Sequence, residues 1–119
     1  MRRVSASGFL FVRSIMVSPT VHERLVRAIR EKRLIGFDYK DTTGRVAEPH
    51  DYGVKGDAEC ALVYQITGQS RTGASHGWKM FTVSAMANLH VLHKTFAGSR
   101  AMPSQHHIHW DRLFARVER

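Results

Sequence analysis

Apolar residues in the first clearly periodic segment recur at helical spacing. Val21, Leu25, Ala28 and Ile29 fall on one face, with Arg24, Arg27, Arg30, Glu31 and Lys32 on the other. Ser18 followed by Pro19 supplies an N-cap with proline at the first helical position, and Thr20 with Glu23 offers a capping box one register later. Arg30, Lys32 and Arg33 suit the negative end of the helix dipole. After Arg33 the period changes to two: Ile35, Phe37 and Tyr39 alternate with Gly36, Asp38 and Lys40, the pattern of a half-buried strand. Asp41-Thr42-Thr43-Gly44 reads as a turn, and Arg45 to Glu48 as a short strand stopped by Pro49, which has no N–H for a ladder. Tyr52 to Val54 and Lys55 to Asp57 read as a further turn region. Glu59 to Thr67 is the most apolar strand, with Ala61, Val63 and Gln65 on one face and Leu62, Tyr64 and Ile66 on the other. A glycine- and serine-rich loop, Gly68 to Gly77, separates it from strands at Trp78–Ser84 and Leu89–His93. Ala97 to Gln105 lacks a period, and Ile108, Leu113, Phe114 and Val117 are spaced for a short terminal helix.

This order of elements predicts a mainly β fold: a small barrel of about five strands with an N-terminal helix and a short C-terminal helix. The predicted core is Leu25, Ile29, Ile35, Phe37, Leu62, Tyr64, Phe81 and Leu89.

Composition narrows the picture. With 119 residues there is room for one domain, expected over residues 18–96, preceded by a leader at 1–17 and followed by an extension at 97–119. The leader is acid-free with three arginines, and Arg13 interrupts its apolar run, so it reads as non-secretory; Met16 is an alternative start. No stretch reaches the ~20 apolar residues of a membrane span. The lone Cys60, in an apolar run, reads as a buried hydrophobe in a reducing, cytoplasmic setting. The net charge is +8, and no Asp or Glu occurs from Cys60 to Trp110, although Arg71, Lys79, Lys94 and Arg100 lie there. That half is expected to attract anions.

Catalytic signatures are missing: no Gly-x-Ser-x-Gly, no paired-carboxylate pattern and no phosphate-cradling glycine loop. The expectation is a non-enzymatic protein without a cofactor. His90 and His93 are three apart on a strand and face opposite sides, while His106, His107 and His109 read as solvated tail residues rather than a metal site. Trp78 borders the long loop, flanked by Arg71, His76 and Lys79. With Lys94, these five form the predicted binding edge for an anionic ligand or a nucleic-acid segment.

An ordered series of residues resembles the WYL domain family, small Sm-like barrels of the Src-homology-3 type commonly found in bacterial transcription regulators. It comprises Ala28 to Ile35 running into Phe37 and Tyr39, then Glu48-Pro49-His50, then Leu62-Val63-Tyr64, then Lys79 to Val83, then Met86, Leu89 and Phe96. The namesake Trp-Tyr-Leu triplet is absent. The second basic residue of the family's Arg-x-Phe-x-Leu-Asp-Arg-Ile strand is Ala85 here. The 17 residues before Ser18 are too few for a helix-turn-helix module. The resemblance therefore implies a stand-alone, regulatory or ligand-sensing binding domain. The rivals are a structural or homo-oligomerising module and a companion subunit of a separate DNA-binding regulator.

Overall fold

The computed structural model describes residues 18–68, 76–100 and 108–119. The leader, Arg71 in the long loop, and His106 and His107 lie outside the described residues.

Helix α1 (Pro19–Glu31) starts where the sequence predicts. The Ser18 hydroxyl accepts from the Val21 N–H at 3.2 Å, and Pro19 occupies the first turn. It ends at Lys32 in the left-handed region (φ 56°), whose N–H closes the last turn on the carbonyls of Ala28 and Ile29. Leu25, Ala28 and Ile29 form its buried face.

Six strands follow, all paired antiparallel: β1 (Arg33–Tyr39), β2 (Thr42–Lys55), β3 (Ala58–Thr67), β4 (Gly77–Thr82), β5 (Met86–Thr95) and β6 (Arg112–Arg116). A 3₁₀ turn, Val83–Ala85, joins β4 to β5. The strand path is β4-β3-β2-β1-β5, with β6 added to β2. The mainly β class is as predicted, but the sheet is not a closed barrel. Val83–Ala85 carries the chain from β4 across to β1 instead of folding it back as a hairpin, so the two ends of the path are unpaired among the described residues.

Four local expectations are corrected. The first turn is Lys40–Asp41, with Lys40 taking positive φ next to a register shift, so Thr42 already belongs to β2 and Gly44, also at positive φ, lies within that strand. Pro49 does not stop β2: it falls at a register shift between Pro49 and Asp51, after the last β1 partner (Ala47) and before the first β6 partner (Asp51). An imino nitrogen is tolerated at such an irregularity. Tyr52 to Val54 are therefore strand, and the turn is confined to Gly56–Asp57.

The terminal segment is strand β6 rather than a helix, because β2 offers it an open edge. Gly53 makes the approach possible, since a Cβ there would sit 2.2 Å from the Arg112 carbonyl oxygen. Alternation along β6 sends Phe114 toward α1 and Tyr52, a use of apolar residues that helical spacing also permits.

The core joins Leu25, Ala28 and Ile29 of the helix to Ile35, Phe37, Ala47, Ala61, Val63, Phe81, Val83, Leu89 and Val117. Phe81 packs edge-on against Phe37 and Tyr39 at 5.1 and 4.5 Å between ring centroids. Leu62 and Cys60 are buried as predicted. Tyr64 is not a core residue: it is only partly buried and takes the opposite face of β3 from Ala61 and Val63. No helix among the described residues is long and apolar enough to cross a membrane.

Candidate functional site

The face of the sheet opposite the core carries a polar–aromatic grouping. Tyr64 on β3 lies directly across from Glu48 on β2 and from Trp78 on β4. Directly paired residues share a face, so the three form a row across three strands. His50 falls at the register shift of β2, and its ring turns to the side of Glu48. Its ring reaches Trp78 at 4.7 Å and Phe96, just beyond β5, at 5.4 Å.

Arg100 completes the group from the segment after β5. Its Nε and Nη2 donate to the two carboxylate oxygens of Glu48 at 2.8 and 3.0 Å, while His50 Nε2 lies 3.1 Å from Glu48 Oε1. The guanidinium carbon sits 3.7 Å from the centre of the Tyr64 ring, and Tyr64 meets Trp78 edge-on at 5.4 Å. Gly98 gives the segment room to turn, with φ 117° and the Glu118 carbonyl 2.5 Å from where a Cβ would be, and Ser99 N–H donates to that carbonyl. A cavity of about 390 Å³ opens between this segment and Glu48.

The electrostatics follow from burial. His50 is fully buried, and burial lowers its pKa, outweighing the raising effect of the Glu48 carboxylate. The ring is therefore neutral at pH 7, with its proton on Nε2 donating to Glu48. Among the described residues, Nδ1 is left as a buried acceptor without a partner, and the Trp78 indole N–H is a buried donor without one. Burial pushes the Glu48 carboxyl upward, but the hydrogen bonds from Arg100 and His50 win and hold it below its ordinary range. The same carboxylate raises Arg100. With two donors committed to Glu48, Arg100 presents a flat cationic face more than a free charge. A guanidinium held this way stacks well on planar groups.

Of the predicted edge residues, Trp78 belongs to this group. Lys79 pairs with Val63, so it points to the other face of β4 from Trp78. His76 is exposed just before β4, and Lys94 is exposed near the end of β5, at the other end of the strand path. Arg71 lies outside the described residues. The acid-free half is also less uncompensated than its sequence suggests, because Glu48 from β2 neutralises Arg100.

Sequence reasoning misses Glu48 and His50 as a pair because it ends the strand at Pro49. The i, i+2 spacing is the available signal. Arg100 has none, since it meets Glu48 from 52 residues away. His109 is exposed, and no group of three or more His, Cys, Asp or Glu side chains among the described residues is arranged to hold a metal ion.

Comparisons with protein-family models, with curated proteins and with solved structures return no match for this chain.

Proposed function

We propose that this chain is a non-enzymatic binding domain that takes a short single-stranded nucleic-acid segment on the Trp78–Tyr64–Arg100 face, in the manner of a stand-alone WYL-like protein. The observation that carries the reading is the Arg100 guanidinium stacked 3.7 Å over Tyr64 and locked there by both oxygens of Glu48. An ordered aromatic–guanidinium platform beside an indole is what unstacked bases bind. The net charge of +8 supplies long-range attraction to phosphates. The strand path β4-β3-β2-β1-β5, with a 3₁₀ turn joining its two end strands, supports a curled Sm-like arrangement and hence the family resemblance.

The test is oligonucleotide affinity measured against salt. Binding by the wild type should weaken as salt rises, by about 0.7 log units per log unit of salt for each phosphate neutralised. Trp78→Ala should cost roughly 1–3 kcal/mol of affinity, the worth of one stacked base, while leaving the salt slope unchanged. Arg100→Lys keeps a cation against Glu48 but removes the planar stack, and should cost a similar amount. Equal, feeble and salt-sensitive binding by all three proteins would leave only the attraction of a basic surface. Loss of a small anion's binding in both variants, without oligonucleotide affinity, would make the protein a small-ligand sensor instead.

A second reading, self-association, is favoured by the outer edges of β4 and β5 at the ends of the strand path, which have no strand partner among the described residues. A concentration-dependent dimer that ignores oligonucleotide would replace the first reading.

A further inference from the structure

Between α1 and β6 a cavity of about 470 Å³ is lined by His22, Val26, Arg30 and Phe114, with Glu23, Arg27 and Glu31 completing its wall. That volume is in the range of small-molecule sites. Val26 and Phe114 supply an apolar floor, and His22 stands edge-on to Phe114 at 5.1 Å.

The imidazole is held by a chain of hydrogen bonds that starts in the core. Tyr52 is fully buried, and its hydroxyl donates to Glu59 Oε1 at 2.9 Å. Burial and that carboxylate hold the phenol above its ordinary range, so the proton stays on Tyr52 and is spent on Glu59. The hydroxyl oxygen can then only accept from His22 Nδ1, which lies 2.9 Å away. Glu59 and Tyr52 thus fix the proton of His22 on Nδ1 and leave Nε2, at the far end of the ring, for an incoming group. The arrangement matches the way a carboxylate orients a functional histidine, with a tyrosine interposed.

The cavity wall carries two carboxylates, Glu23 and Glu31, and two guanidinium groups, Arg27 and Arg30. Glu31 is engaged by Arg27 at 3.3 Å and by Arg33 at 3.0 Å. Arg30 is exposed on α1, two turns after His22 on the same side of the helix. Nε2 of His22 accepts when the ring is neutral and donates when it is charged, whereas a guanidinium always donates. A phosphate monoester answers both, because its second ionisation lies near pH 6 and it offers P–OH and P–O⁻ oxygens together around neutrality.

We infer that the cavity between α1 and β6 is a binding site for a small phosphate monoester with an apolar or aromatic body. His22 Nε2 and Arg30 take the phosphate, the body rests on Val26 and Phe114, and Tyr52 with Glu59 acts as the positioning pair. The inference is independent of the Trp78 face.

Calorimetric titration of the full chain with phenyl phosphate tests it, with inorganic phosphate for comparison. Phenyl phosphate should bind more tightly than inorganic phosphate. Arg30→Ala, an exposed helix position that should not disturb folding, should weaken it about tenfold, as expected for one charge-assisted hydrogen bond, and His22→Ala similarly. Imidazole ¹⁵N shifts should place the neutral-ring proton on Nδ1 in the wild type and in Arg30→Ala. Tyr52→Phe should lose that preference and bind more weakly. Unchanged affinity in the Arg30 and His22 variants, no binding by the wild type, or equal affinity for phenyl and inorganic phosphate would each overturn the proposal. So would a wild-type ring protonated on Nε2.

Discussion

Strand β3 separates two environments that obey different rules. Its inward residues Ala61 and Val63 meet Ala47, Phe37 and Phe81, where stability comes from volume and burial. Its outward Tyr64 meets Glu48, Trp78 and Arg100, where side chains are held by directed hydrogen bonds and stacking. The first face is mostly apolar, although it also buries Arg45, which donates to Thr42 Oγ1 at 2.8 Å and to Gln65 Oε1 at 3.1 Å. On the second, each group relies on a named partner: Glu48 is tolerable because Arg100 and His50 satisfy it, and His50 because Glu48 accepts its proton.

Removing volume from the inner face should do the greatest damage. Phe81→Ala should cost roughly 3–5 kcal/mol, since it empties the space between Phe37 and Tyr39. A denaturation midpoint close to wild type would mean that β4 does not have the register described here.

On the outer face, Glu48→Ala should cost less, about 1–3 kcal/mol. Arg100, with 39% of its side chain exposed, can turn to water, so the loss is chiefly that of the acceptor for the buried His50 N–H. Urea unfolding of the two variants side by side measures the difference between the faces. A Glu48→Ala protein less stable than Phe81→Ala would reverse the comparison.

Titration sharpens it further. Folded His50 has a depressed pKa, so below the ordinary imidazole value of about 6.5 the unfolded chain binds a proton that the folded chain does not. The unfolded state then holds more protons, and stability falls as pH drops, by at most about 1.4 kcal/mol per pH unit for one full proton. Glu48, also depressed, acts in the same direction at lower pH. Its contribution is present above the ordinary carboxylate range and is lost as pH falls through its folded value. His50→Gln should therefore flatten the decline in stability between about pH 7 and pH 5 relative to wild type. Identical pH slopes for the two proteins would show that His50 is protonated equally in both states.

The smallest effect is expected at Lys79. It lies next to Trp78 in sequence but points to the other face, so Lys79→Ala should leave oligonucleotide affinity on the Trp78 face within the error of the measurement. A loss as large as that of Trp78→Ala would bring both faces of β4 into one site.

The elements that read correctly from sequence are those whose determinants are local. Ser18 and Pro19 announce the helix start because capping uses neighbouring atoms, and the alternation in β1 and β3 gives their two faces directly. The misreadings share a cause. Pro49 is compatible with a long strand only because the β1 partner ends before it and the β6 partner begins after it. Residues 112–116 are strand only because β2 has an open edge and Gly53 admits a close neighbour. Tyr64 looked like core because alternation says which residues share a face, not which face is dry.

By itself, then, the sequence determined a mainly β chain led by one capped helix, its principal strands, part of its core and its excess of positive charge. These follow from periodicities and counts that do not depend on distant residues. Tertiary structure alone decided that Arg100 meets Glu48, that Trp78 and Lys79 part company, and that Glu59, Tyr52 and His22 form one relay. Each depends on the register of strand pairing or on contacts between residues far apart in the chain. A one-residue change in a strand's register would turn Glu48, Tyr52, Glu59, Trp78 or Lys79 to the other face.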